Sequence, residues 1–184
     1  MILANSPQNL GRIEFWIEMW EYFGWQFDPF DLILPKTVSD FRWMIIRPQG
    51  ITLKVFFDLY SANLPTKNCL ANLSDVEISH EDRDSIKGTY AIRVRDSIKI
   101  DREWRNSPFG HNRKTISLTE QGILDFAFSL LNGNKCNIDY WTRCDGSRIQ
   151  DFIPSCGRHD GDFSISWGGP NLAFDYLFGR EVIS

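Results

Sequence analysis

The sequence predicts a single α+β domain: a sheet, antiparallel or mixed, packed on a central helix. Three observations carry this. Gly88-Thr-Tyr-Ala-Ile-Arg-Val-Arg-Asp96 alternates, with Tyr90, Ile92 and Val94 on one side and Ala91, Arg93 and Arg95 on the other, which is the period of a strand. Ser117-Leu-Thr-Glu120 is a capping box followed by apolar residues at helical spacing as far as Leu131. The C-terminal third breaks into short β-prone runs separated by Gly, Asp and Pro.

Taken in order, Ser6-Pro7 starts a helix predicted over about 7–23, with Gly24 as its stop. Leu10, Ile13, Ile17 and Trp20 line one face of it, and Glu14, Glu18 and Glu21 another. Residues 1–35 are read as this added N-terminal helix with its connection, and a helical extension outside the domain is the alternative. Trp25 to Pro35 is aromatic-rich but punctuated by prolines, so it cannot continue the helix. Phe41 to Ile46 reads as a buried strand. Ile51–Tyr60 fits a strand or a helix, and Thr52 as a cap favours the helix. Residues 61–88 are predicted to be an irregular loop or an internal boundary. After the helix at 117–131, strands are expected at 138–143, 152–153 and 163–167, with a last apolar segment at 172–178.

Composition narrows the function classes. A net charge of −4 supplies no global field for nucleic acid, which leaves only a local basic face. No basic start precedes the short apolar run at Met1, and no window is long enough to cross a bilayer, so a cytoplasmic, soluble protein without a membrane partner is expected. The four cysteines are then read as reduced thiols. Aromatics reach 14%, which calls for a core of large rings and leaves a surplus for an aromatic binding face.

Several pieces resemble a family of small uncharacterised bacterial proteins. They are Ile46-Arg-Pro-Gln-Gly-Ile-Thr52, Gly88 to Asp96, the Asp101-x-Glu103 pair, the helix from 117, and Cys144-Asp-Gly-Ser-Arg148 with Pro154 and Trp167. The resemblance covers residues 42–184 and departs at 105–116, where Pro108-Phe-Gly-His-Asn-Arg replaces a more helical connection. It implies a bacterial or phage-like intracellular protein and no particular chemistry.

Four constellations could carry chemistry. Asp96, Asp101 and Glu103, with His80, Asp82 and Asp84 upstream, are oxygen donors of the kind that hold a hard divalent cation for phosphoryl hydrolysis. Spacing alone does not bring them together, and a solvated charged loop is the plainer reading. Cys136, Cys144, Cys156 and His159 lack the paired spacing of a structural zinc site, so no metal and no cofactor is expected. Cys144 or Cys156 with His159 or His111 could form a thiol–imidazole pair only through the fold. Arg93, Arg95 and Arg102 offer a face for a phosphate or carboxylate, unless they pair with the nearby acids.

The expectation is therefore a non-catalytic binding or adaptor protein with a protein partner. Its binding residues would be Arg93, Arg95, Arg102, Trp25 and Phe109, with Phe27 and Phe30 as further aromatics in polar surroundings. A metal-assisted hydrolase using Asp96, Asp101 and Glu103 is the alternative.

Overall fold

A computed structural model describes residues 6–64, 77–97, 114–132, 141–159, 162–169 and 177–184. The architecture is α+β, as the sequence predicts. Helix α1 spans Ile13–Tyr22, α2 Leu53–Asn63 and α3 Leu118–Leu131. Among the described residues three sheets accompany them. Strands β1 (Trp43–Arg47), β3 (Tyr90–Val94) and β9 (Val182–Ile183) form an antiparallel sheet in the order β1-β3-β9. Strands β2 (His80–Glu81) and β5 (Ser147–Arg148) pair as a short ribbon. Strands β4 (Trp141–Arg143), β6 (Ile153–His159), β7 (Asp162–Gly168) and β8 (Leu177–Phe178) form a mixed sheet in the order β7-β6-β4-β8, β4 and β8 running parallel.

Helix α3 is the centre. Its capping box is complete: Ser117 Oγ accepts from Glu120 N, and Glu120 Oε2 accepts from Ser117 N at 2.8 Å. The helix packs against α2, β1 and β6. Covered on every side, it buries not only Ile123, Leu124, Phe126 and Leu131 but also Thr119, Glu120, Gln121, Asp125 and Ser129. Gly122 permits the approach of α2, because a Cβ there would lie 2.6 Å from a ring carbon of Phe56. Phe56 and Tyr60 of α2 meet Phe126 edge-on and tilted, and Tyr60 continues to Phe163 of β7, 4.9 Å between centroids. Much of the aromatic content of the described residues is thus spent inside.

The N-terminal helix differs from expectation. Pro7–Gly11 is a 3-10 turn, and α1 begins only at Ile13. A Cβ on Gly11 would lie 2.7 Å from the Arg42 carbonyl oxygen, so the chain passes close to the start of β1 and turns there. The buried stripe is Phe15, Trp16, Met19 and Trp20, whereas Ile13 and Ile17 stay half-exposed. Trp20 Nε1 donates to Ile46 O at 2.9 Å and fixes α1 on β1. At 51–60 the helix reading holds: Thr52 caps α2, its Oγ1 accepting from Val55 N. No described helix is long and apolar enough to cross a membrane.

Candidate functional site

Two buried ionic networks surround α3. In the first, Arg83 grips Glu120 with two bonds of 2.7 and 2.8 Å, and Tyr90 donates to the same carboxylate at 2.9 Å. Arg47 joins it by pairing with Glu81 at 2.7 Å, donating to Ile51 O and reaching the Tyr90 hydroxyl. Thr119 closes the ring by donating to Glu81. Burial alone would push the Glu120 carboxyl up, but Arg83, Ser117 N and Tyr90 together hold it below its ordinary value. Burial and the nearby Glu120 push Tyr90 in the opposite direction, far above the usual phenol range, so it is no base at neutral pH. In the second network Arg158 donates to Asp125 at 2.7 Å and to Tyr60 and Ser129, tying β6 to α2 and α3. Every charge named here has a partner of opposite sign, so these are structural clamps.

An open cleft of about 780 Å³ lies beside the first network, between the start of α2 and residues 77–86. Of its charges, Arg47 is answered by Glu81 and Lys54 by Asp58 at 3.0 Å, while Glu77 and Asp84 also line it; His80 Nε2 lies 3.2 Å from Asp82. Ser79 Oγ donates to Arg148 O and accepts from Gln150 N, so it faces no base.

The residues singled out from sequence fare differently. Asp101, Glu103, Arg102, Phe109 and His111 lie outside the described residues, as do Cys69 and Cys136. Asp96 makes a close ion pair with Arg42 and donates its backbone N–H to Asp40 O. Among the described residues no three His, Cys, Asp or Glu are grouped to hold a metal ion. Cys144, just past the end of β4, and Cys156 of β6 are buried free thiols 3.7 Å apart, and burial pushes the Cys144 thiol well up, away from a nucleophile's range.

Arg93 requires a correction. Its side of β3 is covered, not accessible, and the residue is only 9% exposed. Its Nε donates to Pro35 O at 2.9 Å and Nη1 reaches Arg42 O. Arg95 lies 5.0 Å over the Phe41 ring and 3.5 Å from Glu181. The arginine face of β3 therefore holds the segment that runs from Pro35 into β1. An alternating strand signals a wet face only if nothing covers it, and here the preceding connection folds over it.

That connection carries the exception to the burial pattern. Trp25 is half-buried and meets Trp20 edge-on, 6.1 Å between centroids, and Phe27 also rests on the core. Asp28 caps a 3-10 turn at Pro29–Asp31 by accepting from Phe30 N. Leu32 points in. Between and beyond these anchors Phe30 is 95% exposed and Ile33 89%, with Leu34 and Val38 also at the surface and Tyr22 close by in the chain. Of the aromatics named from the sequence, Phe30 stands at the surface while Trp25 and Phe27 rest on the core; Ile33, Leu34 and Val38 were not singled out. The signal was present: apolar residues in a proline-broken segment that neither helix nor sheet can internalise.

No protein-family model, no curated protein and no solved structure matches this chain.

Proposed function

We propose that the protein is a non-catalytic binding protein that docks a protein partner through the 22–38 connection. The observation that carries this is the exposure of Phe30 and Ile33 on a segment fixed at both ends, by Trp25, Phe27 and Leu32 on one side and by Arg93 on the other. Large apolar side chains held out from a rigid support are how interface anchors are built, since little ordering is left to be done on binding. Arg93 and Arg95 enter this reading as residues that position the surface. The buried polar groups around α3 favour it too: Arg83, Glu120, Arg47, Glu81, Arg158 and Asp125 are paired and Cys144 and Cys156 are buried, which suits support more than chemistry.

The test is a Phe30→Ser/Ile33→Ser double variant. It should keep the parent's melting temperature and lose the partner that the parent cross-links in cells and then binds as a purified component. Retained binding of that purified partner by a folded double variant overturns the proposal.

A further inference from the structure

We infer that the partner presents a cationic amphipathic segment, with lysine or arginine flanking apolar anchors. This rests on the docking role proposed for the 22–38 connection and adds the chemistry of its occupant. The exposed charges close in sequence to the apolar residues carry the inference. On α1 the exposed side shows Glu14, Glu18 and Glu21, and the connection itself shows Asp28, Asp31 and Asp40. Against them stand Lys36, together with Arg12, already 3.6 Å from Glu14, and Arg42, which is paired with Asp96. Asp28 and Asp31 bracket Phe30 directly in sequence, so an apolar residue docked beside Phe30 brings its own neighbours close to carboxylates.

Two further features point to a cation. Phe30 is almost fully exposed, and Tyr22, though it meets Phe23 edge-on, is 64% exposed; such rings offer surface to an ammonium or guanidinium group. The acidic margin also repels the other occupants an apolar surface could take. Phosphate backbones and anionic lipid carry its own sign. A second copy related by a two-fold axis would set the same acidic residues against themselves, because such an interface pairs one patch with itself. A basic segment removes this repulsion, and its attraction hastens encounter.

The probe is a fluorescent peptide of leucine and lysine patterned as an amphipathic helix, with a leucine–glutamate peptide of the same pattern as its control. Both are titrated into the full chain, into Phe30→Ser/Ile33→Ser and into Glu21→Lys/Asp31→Lys. The expected result is binding of the lysine peptide by the parent, at least about tenfold tighter than the glutamate peptide and weakened by added salt. Each double variant should weaken it by about tenfold or more while keeping the parent's melting temperature.

The outcomes separate the two readings. Absence of binding by the parent, or equal binding of both peptides, overturns the cationic class. Equal binding by the parent and Phe30→Ser/Ile33→Ser overturns the docking surface as well, since the peptide then reads net charge alone. Loss in the apolar variant without loss in Glu21→Lys/Asp31→Lys leaves the surface standing and removes its preference for cations. Self-association in sedimentation, or capture by phosphatidylcholine vesicles, that the apolar variant abolishes would replace the inferred partner by a second copy or a membrane.

Discussion

Helix α3 and the 22–38 connection invert the usual rule in opposite senses. The helix hides Glu120, Gln121 and Asp125, and the connection shows Phe30 and Ile33. In α3 most of the inversion is compensated within the chain: Arg83 and Tyr90 answer Glu120, and Arg158 answers Asp125. Among the described residues nothing answers Phe30 and Ile33. A buried charge with its partners in place explains itself through the fold. An apolar side chain displayed at nine-tenths exposure or thereabouts does not, and that difference separates scaffold from candidate surface.

The comparison breaks most severely at Glu120. Glu120→Gln should cost about 3–5 kcal/mol at neutral pH, because Arg83 is left buried without its counter-charge. Since the folded Glu120 carboxyl titrates below its unfolded value of about 4.3, its contribution is present above that pH and is lost as the pH falls through the lower, folded value. Denaturant melts at stepped pH should therefore show the parent weakening below about pH 4 and Glu120→Gln flatter over that range. A variant as stable as the parent at pH 7 would mean that the clamp is dispensable.

Next in size is the apolar side of the same helix. Leu124 and Leu131 are buried, and truncating either to alanine should cost about 2–5 kcal/mol in urea unfolding. A loss below about 1 kcal/mol at both would move the centre of the fold elsewhere.

Arg93→Ala probes the junction between the two regions. It removes the donors to Pro35 O and Arg42 O, so a loss of about 1–3 kcal/mol is expected. Faster amide exchange should then be confined to residues 35–42 and β1. Exchange spread evenly through the molecule would refute Arg93 as a local strap.

The smallest effect belongs to the displayed residues. Phe30→Ser or Ile33→Ser should change stability by no more than about 0.5 kcal/mol, since neither side chain is removed from water on folding. A loss above about 1 kcal/mol for either would show that the chain itself covers the surface.

What the sequence disclosed, and what it withheld, follows range. Local devices were legible: the Ser117–Glu120 capping box, Thr52 as the cap of α2, and the alternation of β3 were all readable before any coordinates. Partners distant in sequence were not. Nothing near Arg47 announces Glu81 or Tyr90, and nothing near Asp125 announces Arg158, so the charged runs read as solvated faces. One signal in α3 was readable and passed over. Gln121, Asp125 and Ser129 recur every four residues, a polar stripe on a helix that is otherwise apolar beyond its first turn, which calls for a polar partner inside. The candidate surface was half legible: its aromatics were noticed, while its aliphatic members depend on how Arg93 fixes the segment.

The first ionic network joins residues from β1, β2, β3 and α3, and β3 itself pairs with β9 near the far end of the chain. Such groupings close large loops before any bond rewards them, so they are expected to form late in folding, and Glu120→Gln should then speed unfolding more than it slows folding in stopped-flow measurements. A clamp missing from the transition state hardly changes the rate of folding but must be broken before unfolding can proceed. On that expectation the Arg83–Glu120 and Arg47–Glu81 pairs serve chiefly as a brake on unfolding, and their loss should shorten the lifetime of the native state more than the change in equilibrium stability alone conveys.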